Sequence, residues 1–141
     1  MKKVQTEIEV RYQETDQMGV VYHANYLVWF EIGRTKFIEQ LGLSYMELEQ
    51  NNVVSPVIDA QLSFKRPAKY GEKITIYTWL DQYDGLRTVY GYEIIGDNGE
   101  IKVTGKTKHV IVNKETFRPL SLRKAFPAWH EVYMSCLEGE Q

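Results

Sequence analysis

The chain has 141 residues, 43% of them apolar and 26% charged, a balance that suits one packed domain and excludes a disordered tail or a collagen-like repeat. Its 17 Lys and Arg against 19 Asp and Glu give a net charge of −2, which leaves no whole-chain basic footprint for a nucleic acid. The one cysteine, Cys136, precludes an internal disulfide and shares no ligand spacing with His23, His109 or His130, so no zinc site is expected.

Two lysines near the start have no apolar stretch behind them. This predicts neither a secretory leader nor a membrane span, and hence a cytoplasmic protein. Val4, Thr6, Ile8, Val10 and Tyr12 then alternate with polar residues, the period of a half-buried strand. A turn-like stretch, Gln17-Met18-Gly19, follows.

From about Ala24 to Leu41 the period becomes helical, with Tyr26, Phe30, Gly33, Phe37 and Leu41 on one face. The first half is apolar nearly all round (Leu27, Val28, Trp29, Phe30, Ile32), which predicts a buried helix. Gly33 inside it costs about 1 kcal/mol against Ala, so it is either a tolerated defect or a point where another backbone comes close. Gly42 stands where a helix-ending glycine belongs.

After Gly42 the chain reads as β structure. Alternating runs at Asp59–Lys65 and Ile74–Trp79 precede two more strands, Val89–Ile95 and Ile101–Val112. Asp84-Gly85 and Asn98-Gly99 mark hairpins between the last three. Pro127 opens a short terminal helix with Trp129, Val132, Tyr133, Cys136 and Leu137 on one face. The order is strand, long helix, four antiparallel strands, short helix. One helix apolar nearly all round needs a wrapper, and a strongly curved antiparallel sheet supplies it most simply. The expected fold is α+β, a single domain over residues 1–141.

The stretch from Tyr12 to Tyr26 carries the chemistry. It joins the first strand to the start of the long helix. Free N–H groups at a helix start can polarise a carbonyl oxygen. A carboxylate held just upstream, at Asp16, can face the same spot, which is the minimum kit for acyl transfer. Asp16 also suits an ordinary turn, bonding its own backbone.

Asp16, Gly19-Val20-Val21, Tyr22-His23, Asn25-Tyr26 and Trp29-Phe30-Glu31 together resemble the signature of the 4-hydroxybenzoyl-CoA thioesterase-like acyl-CoA thioesterases. These are hotdog-fold enzymes, of the branch that includes the Tol–Pal-associated thioesterases. The likeness covers residues 5–113 and is sharp at 16–31. It implies that Asp16 is the catalytic carboxylate, attacking the thioester carbonyl or activating a water. It implies that the backbone N–H of His23 polarises the thioester oxygen, and that Gly19 lets the loop turn tightly beside Val20 and Tyr22. The His23 ring then lies near the reacting centre. Asn25 caps the helix or holds the loop. Glu31 reads as structural or substrate-facing, three residues before Arg34.

The resemblance further implies no metal and no bound cofactor. CoA phosphates would lie near Lys65, Arg66 and Lys69, or near Lys102, Lys106 and Lys108 on one face of the last strand. The partner expected is an acyl-CoA, or an acyl carrier protein thioester, and the assembly a homodimer or homotetramer, since twofold oligomers are the commonest. The alternative function is a module that binds an acyl thioester without turnover. Asp16 argues against it, because a plain pocket needs no carboxylate next to an ester. A hotdog dehydratase fits less well, since it pairs His with an acid in other motifs.

Overall fold

A computed structural model describes residues 2–138. The first alternating run forms β1 (Lys3–Glu9), with Val4 turned inward. A 3₁₀ turn over Tyr12–Glu14 leads through the 15–24 loop into α1 (Asn25–Gln40). Next come α2 (Tyr45–Gln50), β2 (Val53–Val54) and β3 (Val57–Phe64). The long hairpins follow as β4 (Lys73–Tyr83), β5 (Arg87–Ile95) and β6 (Ile101–Val110). The chain closes with β7 (Val112–Asn113), α3 (Leu122–Ala125) and α4 (Pro127–Leu137).

Five strands make one antiparallel sheet in the order β1-β4-β5-β6-β3, and β2 pairs with β7 separately. Bulges between Leu80 and Gln82 and between Ile94 and Ile95 bend the central strands, which curves the sheet. Helix α1 lies across β1, β4 and β5 and buries Tyr26, Trp29, Phe30, Phe37 and Ile38 on them. Phe30 stacks on Tyr92 of β5 with ring centroids 4.1 Å apart and planes 4° from parallel. At Gly33 the helix packs tightly on the sheet, though on side chains and not on another backbone: a β-carbon there would meet the Thr78 hydroxyl and sit 2.8 Å from Ile76 Cγ2, so the glycine is more than a tolerated defect. Gly42 ends α1 in the left-handed region, φ +78°, with Leu43 N–H returning to Ile38 O at 3.1 Å.

Three expectations need correction. Helix α1 is not covered all round: Leu27, Val28 and Ile32 are 41%, 44% and 38% exposed, because the sheet has one inner face and covers one side of the helix. The chain after Gly42 is not all β: Ser44 accepts the Glu47 N–H at 3.3 Å and starts α2, the Ser-x-x-Glu pattern of a helix N-terminus. Lys102 does not share an outer face with Lys106 and Lys108. It is 6% exposed and paired with Glu72 at 3.2 Å and Glu100 at 2.8 Å, at the bulge where the β5–β6 register passes from Val103 to Ile101 and leaves Lys102 without a strand partner. The hairpins at Asp84-Gly85 and Asn98-Gly99 form as read, with Gly85 and Gly99 at φ +94° and +85°.

A buried polar chain runs under α1. Arg34 Nη1 donates to Tyr92 Oη (3.0 Å), Tyr92 lies 2.6 Å from Thr107 Oγ1, and Thr107 lies 2.9 Å from His109 Nε2. His109 Nδ1 sits 3.0 Å from Ser55 O, so Nδ1 carries the hydrogen and Nε2 accepts. Burial, with the nearby Arg34 charge, pushes the His109 pKa down to about 4, against the pull of the Ser55 carbonyl. The unfolded chain takes a proton at the ordinary value near 6.5 and the folded one does not. Stability from neutral His109 is therefore complete above pH 6.5 and falls as pH drops toward 4, by about 3 kcal/mol at most. Urea unfolding at pH 7 and pH 4.5 should show most of that loss, and His109→Gln should flatten it.

Candidate active site

The loop between β1 and α1 is closed by its own backbone. Asp16 N–H donates to Val20 O (2.8 Å), and Gly19 N–H donates back to Asp16 O (3.0 Å). Gly19 holds φ +82° with open space around it, so its requirement is backbone conformation rather than room. Asp16 Oδ1 accepts the Met18 N–H at 2.8 Å, the local turn bond its residue type favours. Among the described residues no donor takes Oδ2. The turn role and an available carboxylate oxygen therefore coexist on one side chain.

The loop is then stitched to the segment after β3. Val21 N–H donates to Ala68 O (2.9 Å), and Ala68 N–H donates to the Tyr26 hydroxyl (3.2 Å). Burial pushes the Tyr26 phenol up from its ordinary value, so it stays a neutral partner for that amide.

Under the loop sits Glu14, a buried carboxylate. It accepts from Arg11 N–H (2.9 Å), the Arg11 guanidinium (3.1 Å) and the Trp29 indole (3.0 Å). Burial opposes its ionisation, but the bonds from Arg11 and Trp29 outweigh that and hold its pKa below the usual value. Its carbonyl takes both the Tyr22 N–H and the Asn25 amide at 2.9 Å. Asn25 thus holds the loop and does not cap the helix, whose cap position is Ala24. Glu14 was missing from the sequence-based candidates. Its one signal was a carboxylate three residues after Arg11.

Tyr26 N–H bonds to His23 O at 3.3 Å, so His23 stands at the very start of the helical turns. No side chain caps this end. Among the described residues nothing accepts the N–H of His23. That leaves backbone donors, with the positive end of the helix behind them, open to a ligand.

These pieces border one cleft of about 270 Å3. Asp16, Val20 and His23 line one side, and Phe64, Lys65 and Arg66 the other. Met18, Tyr26 and Pro67, not anticipated from the sequence, line it too. Phe64 is 56% exposed and meets the His23 ring edge-on at 6.3 Å, which makes an aromatic wall. Lys65 and Arg66 give their N–H groups to Lys102 O (2.8 and 3.0 Å), and Arg66 pairs with Glu100 at 3.4 Å, leaving Lys65 as the unpaired rim cation among the described residues. Gly19, Tyr22 and Asn25 shape the loop without lining the cleft. Glu31 is not in it at all: it borders a second cavity farther along α1.

Such a site offers a carboxylate, polarising N–H groups and an apolar wall with a cationic rim, a set suited to acyl transfer to water. No three potential metal ligands converge among the described residues. None of their helices is long and apolar enough to cross a membrane.

Comparison with known proteins agrees with this chemistry. Residues 10–130 match the model of the Thioesterase-like superfamily. A Bacillus subtilis (strain 168) protein named "Putative acyl-CoA thioesterase YneP" is 53% identical over 127 residues, 90% of this chain and 92% of that one. The acyl-CoA thioester hydrolase YbgC of Escherichia coli O157:H7 is 26% identical over 121 residues, 86% of this chain and 90% of its own. The crystal structure of a DHNA-CoA thioesterase from Staphylococcus aureus superposes with a TM-score of 0.97 at 43% identity, covering 100% of this chain and 97% of that one.

Proposed function

Because the chain belongs to the Thioesterase-like superfamily and is a thioester hydrolase, we propose that it acts as a single domain that hydrolyses an acyl-CoA in the cytoplasm, with Asp16 and the His23 N–H as its working groups. The observation that carries this is the shared cleft of Asp16 and the open start of α1. The thioester oxygen accepts from the His23 N–H, where developing negative charge meets the helix end. Asp16 either takes the proton of a water that attacks the carbonyl carbon, or attacks that carbon itself to form a mixed anhydride that a water then hydrolyses; both use its available oxygen. The thiolate of CoA leaves and the free carboxylic acid is released. Lys65, the rim cation unpaired among the described residues, stands ready for the phosphates, with Arg66 beside it on Glu100.

CoA, rather than acyl carrier protein, is favoured as donor by the names of the relatives. An aromatic acyl group is favoured by the Staphylococcus aureus enzyme and by the Phe64, Tyr26 and His23 rings at the cleft. The narrower placement in the Tol–Pal-associated branch rests on residues 16–31 alone. Release of free thiol from a panel of aromatic and straight-chain acyl-CoAs tests the reading. Turnover of none of them would overturn it in favour of a binding module.

The working form is a homo-oligomer. Leu27, Val28 and Ile32 form an exposed apolar stripe on α1, and the edge strand β3 exposes Val57, Ile58 and Phe64. An open apolar edge strand calls for a pairing partner. Light scattering should give at least twice the 16.5 kDa chain mass at micromolar concentration, and Ile32→Arg should lower it. A mass near 16.5 kDa for the unmodified chain would overturn the assembly.

A further inference from the structure

The second cavity, about 260 Å3, lies among the later turns of α1, α2, α4 and the sheet. Ile38, Leu48, Ile111 and Trp129 supply apolar wall. Its volume, a little under the roughly 300–1,000 Å3 typical of ligand pockets, suits one or two fused rings.

The polar groups around it are donors in excess. Arg34 is part-buried, and its Nη1 donates to the Tyr92 hydroxyl. Among the described residues no carboxylate lies within ion-pair distance of it. Glu31, the one carboxylate bordering the cavity, is exposed. His109 is neutral and committed to Thr107 and Ser55, so it offers no counter-charge. The buried hydroxyls of Tyr90 and Tyr133 lie 2.6 Å apart; one proton sits between them, and the other has no acceptor among the described residues. Tyr45 accepts the Ser55 N–H at 2.9 Å, and its own proton is likewise unclaimed.

A part-buried cation without a counter-charge is costly, and so is a buried O–H without an acceptor. One ligand answers both. We infer that this cavity binds a small aromatic carboxylate, its carboxylate on the Arg34 guanidinium, its ring against Ile38, Leu48 and Trp129, and its remaining acceptor oxygens on the phenol hydroxyls. The guanidinium fork suits a carboxylate's two oxygens. The inference does not depend on the hydrolase reading, since none of these residues lines the Asp16 cleft.

Calorimetric titration of the whole chain with 2-naphthoate, and with the uncharged 2-naphthalenemethanol, tests it. The acid should bind saturably, one per chain, and at least roughly tenfold tighter than the alcohol, about 1.4 kcal/mol. Arg34→Met should abolish that preference. Thr35→Phe, placed at an exposed position of the cavity lining, should block both compounds and serves if Arg34→Met does not fold. Asp16→Asn should leave binding unchanged. Absence of saturable binding, equal affinity for acid and alcohol, or an unaltered affinity in Thr35→Phe would overturn the inference. Loss of binding in Asp16→Asn would do the same, by moving the compound to the other cleft.

Discussion

Asp16→Asn should lower kcat by about a thousandfold, close to 4 kcal/mol of barrier, while the melting temperature moves by only a few degrees. The structure separates the two jobs of this side chain. Oδ1 accepts the Met18 N–H at 2.8 Å, and an asparagine carbonyl oxygen accepts that bond equally well. The 16–20 loop is also closed by backbone bonds that the substitution does not touch. What disappears is the charge, and with it the second carboxylate oxygen. An amide neither attacks a thioester nor takes a proton from water. The His23 N–H and the Phe64 wall remain, so an acyl-CoA should still bind, and the loss should fall on kcat rather than KM. A folded Asp16→Asn protein with kcat within tenfold of the parent would return Asp16 to its turn role. Glu31 would be a poor replacement, since it borders the other cavity.

The residues that sequence reasoning found and those it missed differ in a physical way. Strand β1, helix α1 and the glycine turns announce themselves through period and backbone requirement, which are local. Asp16, Gly19 and His23 could be named as candidates because a motif keeps them within a few residues of one another, and the structure puts Asp16 and His23 on one cleft. The buried positions of Glu14 and Lys102 were not legible, because a charged residue is ordinarily at the surface. Only distant partners make them interior: Trp29 for Glu14, and Glu72 for Lys102. The same locality misled over α1. Leu27, Val28 and Ile32 are apolar, which reads as buried, but what covers them cannot come from the one sheet face already taken by Trp29, Phe30 and Phe37. Tyr26 was named only as part of the motif. Its place in the cleft depends on Ala68, forty-two positions away in the chain.

Lys102→Met should cost much of the fold's stability, and its effect on catalysis should take a particular form. Burial works against the Lys102 ammonium, and the bonds to Glu100 and Glu72 outweigh it, lifting its pKa above the ordinary value. Its side chain and that of Glu72 are only 8% and 11% exposed, so removing the cation strands a carboxylate in the interior. Breaking a buried pair from one side costs about 3–5 kcal/mol. For a chain of this size that lowers the melting temperature by roughly 10 °C or more. The same ammonium donates to Pro67 O at 3.2 Å, and Pro67 is part of the cleft wall beside Lys65 and Arg66. The wall should loosen, while Asp16 and the His23 N–H, held by Glu14 and Val20 from the other side, should stay in place. KM should therefore rise severalfold with kcat within about threefold. Adding Glu72→Gln neutralises the stranded carboxylate, and its amide oxygen still accepts from Lys69 N–H, as Glu72 Oε1 does at 3.2 Å. The double variant should regain much of the lost melting temperature but keep the raised KM, because nothing then reaches the Pro67 carbonyl. If KM recovered together with stability, the wall would owe its position to global folding and not to the Lys102 bond.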